Sequence, residues 1–365
     1  MKVRYAVVGL GNIAQMALLP AFEHAGENSE LVALISSDKT KLEELGRRHK
    51  VKHLGSYDDL EGLIRAAEVD AVYIALPNNL HREFTERAAR AGAHVLCEKP
   101  MALTEEDCRV MMRACEESHV KLMIAYRLHF EEANLQAIEI VRSGVIGEPR
   151  LFEATFTQQV RPGDIRTKAG LGGGALFDLG VYCVNAARYV LRAEPTEVFA
   201  WRTMGGSERF RDVDEMTSAT MRFPGDVLAQ ISVSQGAAPV SMFRVIGTDG
   251  DLRVEPAFEY SADLRHFLTV DGKTRQHTFA KRDQFAPELI YFSRCILENT
   301  EPEPSGEEGL ADVRVLNAIM RSAESGQPVK LDPFVRSRRP DLSLKMRKPA
   351  VKEQKTVHAP SPSMK

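Results

Sequence analysis

The sequence predicts an α/β chain: an N-terminal doubly wound parallel sheet, then a C-terminal α+β domain with a large, mostly antiparallel open sheet. Three observations lead there. Strand-like and helix-like segments alternate as far as residue 126, the pattern of a doubly wound sheet. From about Gly147 strands follow one another through Pro224-Gly225-Asp226, Asp249-Gly250 and Asp271-Gly272, which is hairpin chemistry. The polar clusters of the first half fall where its strands end, the edge at which such sheets take ligands. A chain of 365 residues has room for two domains, set at 1–126 and 127–333, with a basic tail at 334–365.

Val3 to Val8 reads as a buried parallel strand and runs into Gly9-Leu10-Gly11-Asn12-Ile13-Ala14. This is a dinucleotide fingerprint with alanine at its third small position. The first glycine permits the turn and the second lets main chain approach a pyrophosphate. The helix from about Ile13 to His24 points its N–H groups at the phosphates. The next strand, Glu30 to Ile35, ends in Ser36-Ser37-Asp38-Lys39-Thr40-Lys41 rather than in an acid. Two hydroxyls and nearby lysines suit a 2′-phosphate, so NADP(H) is favoured over NAD(H). Asp38 is the counterargument, since it could turn to a ribose, and Lys39 and Lys41 are equally well a solvated first helical turn.

Further elements are a helix at Leu60 to Ala67, a strand at Ala71 to Leu76 and a helix at Arg82 to Ala91 closed by Gly92. The strand His94 to Cys97 exits through Glu98-Lys99-Pro100. A lysine there can lend a proton if its surroundings lower its pKa; taken singly it is as well a solvated loop lysine. Thr104 to Asp107 resembles a capping box for a helix to Ser118, and Lys121 to Ala125 is a strand before Tyr126-Arg127.

In the second half, strands are expected at Leu151 to Gln159, Thr196 to Thr203, Met216 to Phe223, Val227 to Gln235, Phe243 to Gly247, Leu252 to Pro256, Phe267 to Val270 and Arg275 to Phe279. One sheet face should meet helices, the other a second subunit. The run Gly172-Gly173-Gly174 precedes a helix with Asp178 and Tyr182 at i and i+4. Without context these are a helix-start charge and a core aromatic as readily as a site. Helices follow at Gln284 to Glu298 and Glu308 to Ser325, and the basic, Pro/Ser-rich stretch after Pro333 reads as disordered.

Composition narrows the function classes. Hydrophobic residues at 44%, charged at 27% and a net charge of −3 give no sign of nucleic acid or an anionic membrane as partner. Five cysteines form no CxxC pair, which fits a reducing compartment and neither a disulfide framework nor a zinc site. No signal peptide or membrane-length apolar run is seen, so the cytoplasm is expected, and no metal is called for.

Together these motifs, with Pro77-Asn78-Asn79-Leu80-His81, Glu98-Lys99-Pro100-Met101, Tyr126-Arg127 and Gly306-Glu307-Glu308-Gly309 in order, resemble the Gfo/Idh/MocA oxidoreductases from about Val3 to Leu331. Within that family the chain looks most similar to glucose-fructose oxidoreductase and the NADP-linked aldose dehydrogenases. The resemblance implies that Gly9, Gly11, Asn12 and Ile13 bind pyrophosphate and that Ser36, Ser37 and Lys41 hold the 2′-phosphate. It implies that Leu76, Pro77, Asn79 and His81 line the nicotinamide-ribose side, and that Glu98, Lys99 and Arg127 face nicotinamide and substrate. It also implies a cis Lys99–Pro100 bond, a substrate role for Arg166, and Lys99, Asp178 and Tyr182 as the catalytic set.

On this reading a hydride passes between nicotinamide and a sugar or polyol, with an aldose C1–OH giving a lactone or the reverse. Tyr182 exchanges the hydroxyl proton, Lys99 lowers the tyrosine pKa or shares the proton, and Asp178 holds the polar groups in place. A ketose, anhydroketose or dihydrodiol-type substrate is the alternative with the same residues; a non-catalytic dinucleotide sensor is the alternative of another class. A homodimer or homotetramer through the open sheet is implied. Glucose-fructose oxidoreductase has an N-terminal arm that wraps its neighbour's cofactor; with none seen here, an exchanging cofactor is expected.

Overall fold

The computed structural model of the chain describes residues 1–336 and 338–364. Its first elements are β1 (Val3–Val8), α1 (12–24), β2 (Ser29–Ile35), α2 (Lys39–His49), β3 (His53–Gly55) and α3 (Leu60–Ala66). Then come β4 (Ala71–Ile74), α4 (His81–Arg90), β5 (His94–Glu98), α5 (Glu105–Glu117), β6 (Leu122–Ala125) and α6 (Glu132–Arg142). The middle of the chain supplies β7 (Pro149–Gln159), α7 (175–191), β8 (Glu197–Thr203), β9 (Met216–Phe223), β10 (Val227–Ser234) and β11 (Gly236–Gly247). The last are β12 (Gly250–Val254), β13 (Leu264–Val270), β14 (Lys273–Phe279), α8 (Ala286–Leu297), α9 (Gly306–Ser325) and β15 (Val329–Lys330).

Two compact units result. The first is Met1–Arg127 with Arg282–Leu310 and Arg347–Pro362; the second is Leu128–Lys281 with Ala311–Met346 and Ser363–Lys365. The expected cut after residue 126 falls one residue from this boundary, but the undivided block to 333 is corrected: α8 belongs to the first unit. The reason is a shared polar seam. Ser293 Oγ lies 2.9 Å from the Tyr5 hydroxyl and 2.8 Å from Ser29 Oγ, and Asn28 Nδ2 donates to Ile290 O at 2.9 Å. Buried polar groups are nearly always held by such partners.

The first unit carries a six-stranded sheet of order β3-β2-β1-β4-β5-β6, every pair parallel. Its central strands are apolar runs; β4 is buried throughout, as a sheet covered on both faces requires. Order reverses between β1 and β4, the switch point at which such folds bind ligands. Edge strand β3 is too short for its pattern to show in the sequence. Thr104 caps α5 as read, its Oγ1 accepting from Asp107 N–H at 3.1 Å.

The second unit holds a nine-stranded sheet of order β14-β13-β12-β11-β7-β10-β9-β8-β15. Only the central pair, β7 with β10, is parallel; the other neighbours run antiparallel. Strand β11 starts at Gly236 and not at Phe243: a register shift between Gly236 and Val240 admits Pro239, which a regular ladder would refuse. Helix α6 is not marked in the sequence reading because its cap is unusual. Glu131 accepts from Ala133 N–H and Asn134 N–H, both at 2.8 Å, a task that short polar side chains usually perform.

The stretch after Pro333, read as disordered, is instead laid down on both units' own surfaces. Arg339 donates to Glu194 at 2.9 Å in the second unit; Lys348 pairs with Glu27 at 2.9 Å in the first. Basic side chains that composition marks as solvated find carboxylates here. Ser337 and Lys365, also in the expected tail, lie outside the described residues. Among the described residues no helix is long and apolar enough to cross a membrane.

Candidate active site

The turn from β1 into α1 is built around two glycines with different duties. Gly9 sits at φ +94°, and a Cβ there would stand 2.4 Å from Ala75 O; strand exit and β4 exit are packed main chain to main chain. At Gly11 a Cβ would meet nothing within 4 Å. That opening faces the first turn of α1, whose N–H groups have no partner inside a helix and carry its positive dipole end. Asn12 and Ile13 are half-exposed beside it. Open space at the start of a helix fits a dinucleotide pyrophosphate, and Gly9, Gly11, Asn12 and Ile13 are the residues that would hold it. A π-bulge over Ala14–Leu18 widens the same helix, a distortion common near sites.

At the end of β2 the three residues expected around a 2′-phosphate differ. Ser37 is exposed and Lys41 half-exposed, but Ser36 is buried, its Oγ accepting from Asp38 N–H at 3.2 Å. Burial raises the Tyr57 pKa, and the neighbouring hydroxyls of both serines oppose the shift. Asp38 caps α2: its Oδ1 accepts from Lys41 N–H at 3.1 Å, while Oδ2 meets His358 Nδ1 at 3.0 Å. The main-chain bond from Lys41, then His358, lowers the Asp38 pKa, so it stays a carboxylate.

The exits of β4 and β5 are tied together by His81. It was expected to line the nicotinamide-ribose side, but it is fully buried: Nδ1 is 2.9 Å from Pro100 O and Nε2 is 3.0 Å from Leu76 O. Burial lowers its pKa, so the neutral ring donates to one of these carbonyls. Both nitrogens face main-chain carbonyls rather than solvent, and His81 ties the Glu98-Lys99-Pro100 turn against Leu76. Leu76 is buried, Pro77 is half-exposed and Asn79 is exposed beside it. The Lys99–Pro100 bond is cis, as the resemblance implied.

Glu98 accepts from the Tyr73 hydroxyl at 2.8 Å. Burial raises its carboxyl pKa, opposed by the charge of Lys99, the Tyr73 hydrogen bond and Arg127. Arg127 is itself buried and donates to Gln284 Oε1, so the side chain expected to face substrate is anchored inside the first unit. Nearby, Glu288 is fully buried, and neither carboxyl oxygen has a hydrogen-bond partner among the described residues. Burial pushes its pKa well up and the charge of Glu98 adds to this, opposed by Arg127, so the site favours the protonated form.

In the second unit the glycine run closes on protein. A Cβ at Gly173 would lie 2.4 Å from Arg166 O, and one at Gly174, at φ +115°, 2.4 Å from Asp214 Oδ1. Asp214 Oδ2 in turn accepts from Leu176 N–H at 3.1 Å and Thr217 Oγ1 at 2.9 Å. Main chain is thereby brought close enough for Arg166 to reach α7. Asp178 Oδ2 accepts from Arg166 Nε at 2.8 Å, Gln235 Nε2 at 3.1 Å and Gln158 Nε2 at 3.2 Å. Burial opposes the Arg166 charge, but Asp178 and Asp164 outweigh it and raise its pKa. Arg166 is thus a partner of Asp178. Tyr182, one turn on, is half-exposed with its ring 5.5 Å from Phe156 and 6.0 Å from Phe258. A second π-bulge, Leu176–Gly180, carries Asp178.

Of the expected catalytic set, Lys99 belongs to the first unit and Asp178 and Tyr182 to the second. The structure adds Tyr73, Gln235, Gln284, Glu288 and Asp214. None had a motif to mark it: Tyr73, Gln235, Gln284 and Asp214 gain their meaning from partners at a distance in the chain. The glutamate near the start of α8, ahead of the apolar Leu289-Ile290, was the one available signal.

Residues 3–126 match the family model described as an oxidoreductase family with an NAD-binding Rossmann fold, and 134–253 match the GFO/IDH/MocA C-terminal domain. The chain is 36% identical over 338 residues to D-xylose 1-dehydrogenase [NADP(+)] of Haloarcula marismortui, covering 90% of this chain and 93% of that protein. It superposes with a TM-score of 0.85 and 37% identity on a crystal structure of aldose-aldose oxidoreductase from Caulobacter crescentus, complexed with glycerol, over 91% of this chain and 100% of that one. A 3-ketoreductase from Actinomadura kijaniata, in complex with NADP and TDP-benzene, gives 0.82 and 30%, over 88% and 98%. By motif order, fold and sequence, the chain belongs to the Gfo/Idh/MocA oxidoreductase family.

Proposed function

We propose that this chain is an NADP(H)-dependent oxidoreductase that moves a hydride between nicotinamide and a carbon of a sugar or related polyol, with an aldose C1–OH as the donor. The observation that carries the reading is the Asp178 cluster. A carboxylate fixed by Arg166, Gln158 and Gln235 stands one helical turn before a half-exposed tyrosine. That arrangement orients hydroxyls and exchanges a proton at Tyr182 Oη. Bound NADP+ supplies the hydride acceptor. Tyr182 takes the C1 hydroxyl proton, Asp178 fixes the polar groups about it, and Lys99 supplies positive charge that favours the oxyanion. The relatives named for NADP-linked xylose oxidation and for aldose–aldose exchange support the same class. The 3-ketoreductase relative favours, as second reading, reduction of a keto sugar by the same residues in reverse.

A homo-oligomer through the open face of the nine-stranded sheet is part of the proposal. Trp201 on β8 is 66% exposed, and Met216 and Leu228 on the neighbouring strands are also exposed; apolar surface of that kind is usually covered. All five cysteines are free and buried, which supports a reducing, cytoplasmic setting.

The test is nicotinamide absorbance with purified protein, NADP+ or NAD+ and a panel of aldoses and myo-inositol, with Lys99→Ala as the blank. NADP+ reduction by an aldose, lost in Lys99→Ala, is the expected result. Turnover of inositol with NAD+ alone would overturn the cofactor and substrate assignment together.

A further inference from the structure

The fingerprint helix is held from outside by the far end of the chain. Gln15 Nε2 donates to Val357 O at 2.9 Å, and Val357 N–H donates to Gln15 Oε1 at 2.7 Å. This reciprocal pair is buried, Gln15 being 1% and Val357 7% exposed. The same Gln15 nitrogen reaches Leu10 O, inside the fingerprint, at 2.9 Å. Asn12 Nδ2 donates to Ala359 O at 3.0 Å, and Arg48 Nη1 to Lys355 O at 2.7 Å. His358, at φ +46°, turns between these anchors to meet Asp38 Oδ2. Four successive contacts therefore run from α2 across the end of β2 to the first turn of α1.

The segment does not fill the cradle it borders. It engages the side chains of Asn12 and Gln15, while the space beside Gly11 is empty to 4 Å. It does fill the role of a second wall. A ribose diol needs a free carboxylate acceptor at the end of β2, and here both oxygens of Asp38 are occupied, by Lys41 N–H and by His358. What that strand end offers instead is Ser37, Lys41 and an imidazole, groups suited to a phosphate.

We infer that residues 355–361 are a strap that completes the dinucleotide site: its main chain closes over the fingerprint helix so that the cofactor is retained between turnovers, and His358, by holding Asp38, sets the preference for NADP(H) over NAD(H). This rests on the NADP(H) reading above and reverses the expectation of a freely exchanging cofactor. A retained cofactor suits a protein whose reduced nucleotide is reoxidised by a second sugar in the same site.

The experiment compares the full chain with a full-length Val357→Asp/Ala359→Asp variant, which buries two charges under the strap, and with His358→Ala. NADP(H) release is followed by nicotinamide fluorescence on trapping, and NADP+ and NAD+ affinities by titration. The double variant should release NADPH at least about tenfold faster, and His358→Ala should cut the NADP+/NAD+ affinity ratio several-fold with melting temperature unchanged. Tighter NADP+ binding by the double variant would show a competing plug and overturn the strap; unchanged release would overturn it too. Should the double variant misfold, trypsin cleavage at Lys352 and Lys355 of the unaltered chain decides: slower cleavage with NADP+ supports the strap, and equal cleavage overturns it. Failure of any dinucleotide to bind the unaltered chain would instead sink the NADP(H) reading itself, a result distinct from these.

Discussion

Each unit opens a π-bulged helix behind a glycine-rich turn, and the two turns do opposite things. Before α1, Gly11 leaves its side-chain direction empty; before α7, Gly173 and Gly174 have theirs filled by Arg166 O and Asp214 Oδ1. Gly11 leaves open space. The second pair makes room for the protein, and so delivers Arg166 to Asp178. A glycine run thus marks close approach, and only the surrounding atoms say what approaches.

The largest effect that sharpens this contrast lies on α7. If the second entrance exists to present Tyr182 with its neighbours already placed, Tyr182→Phe should lower kcat by about 10²–10⁴-fold, the range of a general acid–base group. Melting temperature and NADP+ affinity should hold, since the ring and its contacts with Phe156 and Phe258 remain. Steady-state kinetics beside a thermal melt decide it; a tenfold loss or less would demote Tyr182 to a packing residue.

The glycines themselves come next. Gly174→Ala forces a side chain into φ +115° and against Asp214. The backbone strain alone costs roughly 1–3 kcal/mol, so the melting temperature should fall and Asp214 should lose its grip on the start of α7. Gly11→Ala should leave stability level or slightly higher, because an added methyl only restrains the unfolded chain. Its NADP+ affinity should drop on the order of tenfold, about 1.4 kcal/mol. A destabilised Gly11→Ala with intact binding would erase the distinction.

Much of the parallel half was legible because its physics is local. Buried strands such as Ala71–Ile74 are continuous apolar runs, and Gly9-Leu10-Gly11 sits between a strand and a helix in the sequence itself. What stayed hidden depends on partners far along the chain. His81 looks like a polar turn residue until Pro100 O and Leu76 O take both ring nitrogens. Helix α8 carries no sign that it belongs with β1 and β2; Ser293, which joins it to Tyr5 and Ser29, is an ordinary serine. The final segment is basic and Pro/Ser-rich, hence read as solvated, yet its anchors are main-chain groups of Val357 and Ala359 bonded to Gln15 and Asn12. Main-chain donors and acceptors leave no trace in composition. Asp178 and Tyr182 were legible as a pair, but the glutamines that hold Asp178 were not, since Gln235 ends one strand and Gln158 sits near the end of another.

The two units differ again in how each treats a carboxyl, and this gives the smallest effect. Asp178 has three donors on one oxygen; Glu288 has none among the described residues and is fully buried. Burial raises the Glu288 pKa well above its ordinary value, and Glu98 close by is raised in the same direction. A raised acid binds its proton more tightly folded than unfolded, so folding is favoured at low pH and loses this contribution as pH climbs above the unfolded value, about 4.3. Glu288→Gln keeps the shape and removes the titration. Its melting temperature relative to the unaltered chain should therefore rise steadily from about pH 5 to about pH 8, whatever the offset at either end from placing an amide there. The slope is what tests the idea: a difference flat across that range would mean that Glu288 is ionised in the folded protein, and that Arg127 serves it as a counter-ion in preference to Gln284.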